Sequence, residues 1–112
     1  MQKCDKSNNV FELDFEDKTI SKLIGNKYGY ITFYKQVDYS ISYDKPITII
    51  FPDYINYISE SFIGGFFGEM FKTLGIKGIE EKVTIKSNTI PNIKEMVIGK
   101  LKYYTSDMFD FA

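Results

Sequence analysis

The chain has 112 residues, with 15 acidic side chains balanced by 14 lysines and no arginine, so its formal net charge at pH 7 is −1. This length suits a single domain, and a hydrophobic content of 44% provides enough apolar surface to form a core. A near-neutral chain without arginine lacks the basic surface that nucleic-acid binders use, so we expect no nucleic-acid partner.

Two residue types that support common catalytic and metal sites are scarce. The chain contains no histidine, and Cys4 is its only cysteine, which excludes the usual zinc sites and the Ser-His-Asp and Cys-His nucleophiles. We therefore expect no enzyme, no metal and no cofactor. A lone cysteine fits the reducing cytoplasm. Residues 1–9 are polar, and no apolar run reaches the about 18 residues of a membrane span, so we expect neither a signal peptide nor a membrane segment.

The first part of the chain predicts a strand followed by an ambiguous segment. Residues 10–15 alternate between apolar and acidic side chains, which is typical of a half-buried strand. Residues 28–43 fit a helical stripe and an alternating pattern about equally well. Periodicity alone leaves the structure of this second segment open.

The middle of the chain predicts the centre of the sheet and a long helix. The β-branched run at 47–51 predicts a central strand of the kind that is covered on both faces. Helical spacing then predicts a strongly apolar helix over 58–74 that ends at Gly75, with 76–81 as a connection. Glycines at positions 64, 65 and 68 each cost up to ~1 kcal/mol of helix stability, so we expect them to let a backbone or a partner approach closely.

The last part of the chain predicts a strand over 82–86 and a helix that continues to Tyr104, with Asn88 or Thr89 as its N-cap and Pro91 in its first turn. The order of elements predicts an α/β fold, in which helices pack on a mixed sheet of about four strands. We expect one domain over residues 10–105, a flexible N-terminus at 1–9 and a loose tail at 106–112.

The segment 46–75 resembles the STAS-like bacterial domains that are related to anti-sigma-factor antagonists. In that family a strand leads through a serine-rich turn into a helix that contains phenylalanine. The positions that carry the resemblance are Ser59, Ser61, Phe62, Gly68, Leu74 and Gly75. The resemblance covers residues 29–104, and it implies a helix between Gly29 and the central strand, so residues 30–42 are predicted to be helical.

The resemblance also implies a regulatory site. In relatives of this kind, a serine at the start of the corresponding helix is phosphorylated by a partner kinase with the histidine-kinase-like ATPase fold, and phosphorylation breaks the complex. By alignment Ser61 is the nearest counterpart and Ser59 the second, so both are candidate phosphorylation sites. A purely structural role for Ser59 is the alternative to phosphorylation. In that interpretation Ser59 is the N-cap of the helix, and the helix dipole favours Glu60 in the first turn.

These features predict a non-enzymatic regulatory module that binds a protein partner, which the resemblance suggests is a histidine-kinase-like ATPase or a kinase. The candidate partner-binding residues surround the serine-bearing turn: Asp53, Tyr54, Asn56, Tyr57, Glu60 and Phe62. The phenylalanines of the helix fit either a core or a docking face, and a homodimer also stays open. The alternative is a phage or mobile-element protein that blocks a host defence enzyme by direct binding.

Overall fold

The computed structural model describes the backbone of residues 9–109 and the side chains of residues 9–103. The strands in this range are β1 (Val10–Glu12), β2 (Lys22–Leu23), β3 (Ile47–Ile50), β4 (Tyr57–Ile58) and β5 (Val83–Lys86). The α-helices are α1 (Asn26–Phe33), α2 (Glu60–Lys82) and α3 (Ile93–Phe109), and a π-helical segment, Tyr34–Asp38, directly continues α1.

The strands form two parallel sheets. The larger has the order β1-β3-β5, so β3 is its central strand, as the β-branched run predicted. The smaller pairs β2 with β4. The α/β class is therefore confirmed. The mixed sheet of about four strands is not found in residues 9–109, where every strand pair is parallel and the sheets have three and two strands.

The three-stranded sheet buries only one of its two faces. The core face carries alternate side chains that are all buried: Phe11, Leu13, Ile47, Ile49, Phe51, Val83 and Ile85. The opposite face, which we name the open face, carries half-buried or exposed side chains: Val10, Glu12, Thr48, Ile50, Thr84 and Lys86. The expectation that the central strand is covered on both faces is therefore wrong for the described part of the chain.

The first helix is displaced from its predicted position. Residues 30–42 were expected to be helical, whereas α1 begins at Asn26 and the π-helical segment ends at Asp38. The loop that follows the helical stretch is held by the side chain of Asn9. Its Nδ2 donates to the carbonyl oxygen of Ser42 at 2.6 Å and to that of Pro46 at 3.1 Å, and its Oδ1 accepts from the Ser42 N–H at 2.9 Å.

The second helix extends beyond its predicted end. Gly75 interrupts it with φ 74°, a left-handed conformation that glycine adopts readily, so the predicted break is confirmed. Residues 76–81 were expected to be a connection, and this is wrong because residues 76–82 form further helical turns before β5. Ile79 anchors these turns, since its side chain is completely buried.

Ordered structure extends past both predicted ends of the domain, 10 and 105. Asn9 was assigned to the flexible N-terminus, but it is buried and forms the hydrogen bonds to Ser42 and Pro46. The rest of that prediction lies outside the described residues. The predicted loose tail begins at 106, but α3 continues to Phe109. The side chains of 106–109 and the whole of 110–112 lie outside the described part of the chain.

Helices α1 and α2 pack with their backbones in direct contact. A methyl group on Gly65 would overlap the carbonyl oxygen of Asn26, and one on Gly29 would overlap the carbonyl oxygen of Phe62. Gly65 therefore has the role expected of the helix glycines. Gly68 does not, because a methyl group there would meet open space. Within residues 9–109, no helix combines the length and the apolar character that crossing a bilayer requires.

Candidate functional site

The segment that leads into α2 is attached to β2 and to the residue before it. The Asn56 N–H donates to the carbonyl oxygen of Ser21 at 2.8 Å, and the Ser59 N–H donates to that of Leu23 at 2.9 Å. These bonds flank the short β2–β4 pair, in which Lys22 is opposite Tyr57. The serine-bearing turn is therefore held against a second chain segment rather than projecting alone.

Ser59 is the N-cap of α2, as the structural interpretation predicted. Its Oγ accepts a hydrogen bond from the Phe62 N–H at 3.0 Å, while its backbone is extended, with φ −74° and ψ 160°. The same oxygen lies 3.4 Å from the Gly25 N–H. The Ser59 side chain is also buried, with only 9% of the residue exposed. A kinase could reach its hydroxyl only after the first turn of α2 opened.

Ser61 is half-buried and is tied to the same backbone group. Its Oγ accepts from the Gly25 N–H at 3.2 Å and lies 3.0 Å from the Ser59 Oγ. Gly25 has φ 112°, a conformation that other residues rarely adopt, and it stands at the N-cap of α1. The structure thus brings both candidate phosphorylation sites together at the junction where α1 and α2 begin.

The predicted partner-binding residues divide into exposed and buried positions. Asn56, Tyr57 and Glu60 are exposed on β4 and in the first turn of α2. Phe62 is 0% exposed, because its ring packs 5.5 Å from that of Tyr28 and 6.0 Å from that of Phe66, measured between centroids. The prediction that Phe62 contacts a partner directly is therefore wrong, and its side chain belongs to the core.

The other two predicted contacts are engaged in loop structure. Tyr54 is half-buried, and its hydroxyl accepts from the Phe15 N–H at 3.2 Å. Asp53 is exposed, but its carboxylate accepts from the Asn88 side-chain amide at 3.1 Å, and its carbonyl oxygen accepts from the Thr89 hydroxyl. Asp53 thereby joins the loop after β3 to the loop after β5.

Sequence reasoning missed the contribution of β2 to this surface. Ile24 follows β2 and is 57% exposed, while Tyr57 on the paired strand is 45% exposed. Their neighbours Leu23 and Ile58 are buried, so the pair has one inward and one outward side. The exposed residues of this region form a surface that we name the β4 surface: Lys22, Ile24, Asn56, Tyr57 and Glu60. The alternation at 22–24 was the available signal, but two-residue strands are too short for periodicity to reveal.

A basic group from α3 borders the β4 surface. The Lys100 ammonium lies 6.0 Å from the centre of the Tyr57 ring, within the range of a cation–π contact. On the side of α1, burial raises the pKa of Tyr28, and the nearby Tyr54 and Asp17 add to the increase. The Tyr28 phenol is therefore neutral at physiological pH and adds no charge here. The β4 surface itself carries the charges of Lys22 and Glu60, and Lys100 adds a positive charge at its border.

A separate crevice of about 620 Å³ lies at the carboxyl ends of β1 and β3. Its lining contains charges of both signs, with Glu12, Asp14 and Asp53 against Lys18 and Lys35. Lys18 forms an ion pair with Asp14. In the part of the chain that the structure describes, no three residues among His, Cys, Asp and Glu come together as a metal-binding group. Because acidic and basic side chains are mixed in the lining, the crevice favours neither an anionic nor a cationic ligand.

No family model, no curated protein and no solved structure matches this chain.

Removing the Ser59 hydroxyl should destabilise the protein more than removing that of Ser61. In Ser59→Ala the Phe62 N–H loses its only described side-chain acceptor, and loss of an N-cap costs about 1 kcal/mol. In Ser61→Ala the Gly25 N–H keeps Ser59 as a nearby acceptor. Urea unfolding followed by circular dichroism measures both changes. A larger loss of unfolding free energy in Ser61→Ala would contradict this assignment of the cap.

Proposed function

We propose that this protein is a non-enzymatic regulatory module of the STAS-like type, which docks on a protein partner through the β4 surface. The observation that supports this most is the exposure of Ile24 and Tyr57, at 57% and 45%, beside the N-terminus of α2. Exposed apolar side chains that lie together, here on and beside two paired strands, form the kind of contiguous patch that marks interaction sites. Tyrosine is among the residues that dominate binding energy in such sites.

The chemistry of the β4 surface defines the partner that would fit it. Ile24 and the Tyr57 ring require an apolar recess, while Lys22, Lys100 and Glu60 supply charges of both signs around it. A partner with an apolar pocket and a mixed polar rim is complementary to this arrangement. A histidine-kinase-like ATPase is the partner that the resemblance of 46–75 suggests. A cytoplasmic location accompanies the proposal, because the single cysteine of the chain fits a reducing compartment.

Phosphorylation of Ser61 is the regulatory step of this proposal. Ser61 is the better acceptor of the two serines, because it is half-buried whereas the Ser59 hydroxyl caps the helix. A phosphate adds a charge of about −1.5 to −2 beside Glu60 and would displace the Gly25 N–H from the Ser61 oxygen. The modification would therefore act by loosening the junction between β2 and α1, next to Ile24.

Capture from an extract of the native host, with the full chain as bait, tests the docking site. We expect the double variant Ile24→Asp and Tyr57→Ala to retain less than about a tenth of the bound partner, since loss of a buried hot-spot residue costs about 2 kcal/mol or more. The matched control is Tyr34→Ala, which removes a tyrosine that is 59% exposed on the segment following α1. Circular dichroism checks that both variants are folded.

Two results would contradict the proposal. Equal capture by the wild type and the double variant would exclude the β4 surface. For the regulatory step, the captured partner and ATP are added to the protein and the intact mass is measured. We expect one phosphate on the wild type and none on Ser61→Ala, so a phosphate retained by Ser61→Ala would exclude Ser61 as the acceptor.

A further inference from the structure

The open face of the three-stranded sheet carries an ordered arrangement of charge. The strand register aligns Glu12 with Ile50 and Ile50 with Lys86, so these three residues form one row across the sheet. Glu12 and Lys86 are exposed at the two edge strands, and Ile50 is half-buried in the middle. The row therefore has an acid at one end, an apolar centre and a base at the other end.

A sheet face that residues 9–109 leave uncovered is unusual for a sheet of this kind. Parallel sheets are generally covered on both faces, and the core face here is completely buried under the rest of the domain. The next row of the open face, Val10, Thr48 and Thr84, has no charged side chain. Apart from the two edge charges, the face is thus weakly polar and suited to being covered.

We propose that a second copy of this chain covers the open face, through a two-fold axis that runs along β3 between the two sheets. Such a rotation exchanges the edges of the sheet. It places Glu12 of each copy opposite Lys86 of the other and brings the two Ile50 side chains together. The same surface is then used by both copies, as an isologous dimer requires, and both charge pairs are satisfied at once.

The dimensions allow these contacts. Stacked sheets lie about 10 Å apart with their strands within about 30° of each other, and the side chains of one glutamate and one lysine together span that gap. Within residues 9–109 neither residue takes part in an ion pair, because the ion pairs there join other groups, namely Lys18–Asp14, Lys72–Glu69 and Lys102–Glu80. The two charges are therefore available to a partner surface.

The size of the face determines the strength of the expected dimer. Three strands of three or four residues form a small patch compared with the about 800 Å² that each partner buries in a standard interface. We therefore expect a weak dimer, with a dissociation constant of about 10–100 μM. Sedimentation equilibrium over about 1 μM to 1 mM covers this range.

Charge reversal provides the test. Glu12→Lys places two lysines opposite each other at both edges of the interface, and Lys86→Glu does the same with two glutamates. We expect each single variant to dimerise at least ~100-fold more weakly than the wild type, because like charges would then oppose each other at both edges of the interface. When the two single variants are mixed, every pair is again opposite in sign, so we expect heterodimers with near wild-type affinity. Lys77→Glu, an exposed charge change on α2, is the control that should leave dimerisation unchanged.

Three results would overturn the proposal. A wild type that is monomeric at 1 mM would do so, including the case in which the polar residues 1–8 or another protein cover the face. A dimer that is equally strong in both single variants would place the interface elsewhere. Single variants that are weakened but do not associate when mixed would show that Glu12 and Lys86 do not face each other across a two-fold axis.

Discussion

Gly65→Ala should destabilise the protein by about 3 kcal/mol or more, whereas Gly68→Ala, one turn further along the same helix, should stabilise it by up to about 1 kcal/mol. The two changes add the same methyl group to α2. They differ in what the methyl group meets, since at Gly65 it would overlap the carbonyl oxygen of Asn26 and at Gly68 it would enter open space.

The large expected cost at Gly65 arises because the obstacle is backbone. A side chain can change its rotamer to make room, but the Asn26 carbonyl can move only if the whole of α1 shifts. Overpacking of a core typically costs 1–3 kcal/mol, and displacement of a helix belongs at or above the upper end of that range. At Gly68 the methyl group only improves helix propensity.

Urea unfolding of the wild type and the two alanine variants measures these changes, and Gly29→Ala extends the test to the opposite side of the contact. We expect Gly29→Ala to resemble Gly65→Ala, because its methyl group would overlap the carbonyl oxygen of Phe62. A Gly65→Ala variant as stable as the wild type would mean that α1 and α2 are not in backbone contact.

This contact illustrates how far the sequence could be interpreted. The glycines of the helix indicated a close approach, but their spacing did not say which of them is at the contact. The answer depends on the position of α1, which begins at Asn26, four residues before its predicted start. Gly25 precedes this start with a positive φ, and Asn9 holds the loop after the helical stretch through long-range hydrogen bonds; periodicity detects neither feature.

The candidate site was partly predictable for a similar reason. The position of Ser59 before an apolar helix was sufficient to predict its cap, because capping is a local interaction. The burial of Phe62 and the exposure of Ile24 depend instead on which segment lies across the helix N-terminus. The open face was hidden for the same reason, since the run at 47–51 has β-branched side chains on both sides and only the assembled sheet shows that Ile50 is half-buried.

Phe66→Ala should lower the free energy of unfolding by about 3–5 kcal/mol. The Phe66 ring is surrounded by the rings of Phe33, Phe51, Phe62 and Phe67, at centroid distances of 5.6, 6.1, 6.0 and 4.8 Å. These neighbours come from α1, from the residue after β3 and from α2 itself. Removal of the ring therefore leaves a cavity at the point where helices and sheet meet, and the edge-to-face contacts are lost with the buried area.

The same measurement decides between a core role and a docking role for this part of α2. Phe66 and Phe67 are both completely buried, so replacing both with aspartate should unfold the protein, because two unpaired charges would have to enter the apolar interior. The matched control is Tyr34→Ala, for which we expect a change within about 0.5 kcal/mol because the ring is exposed. A double aspartate variant that keeps the wild-type circular dichroism spectrum would show that these rings face a partner. It would also remove the reason for assigning the docking surface to Ile24 and Tyr57, since that assignment requires the aromatic side of α2 to be occupied by the core.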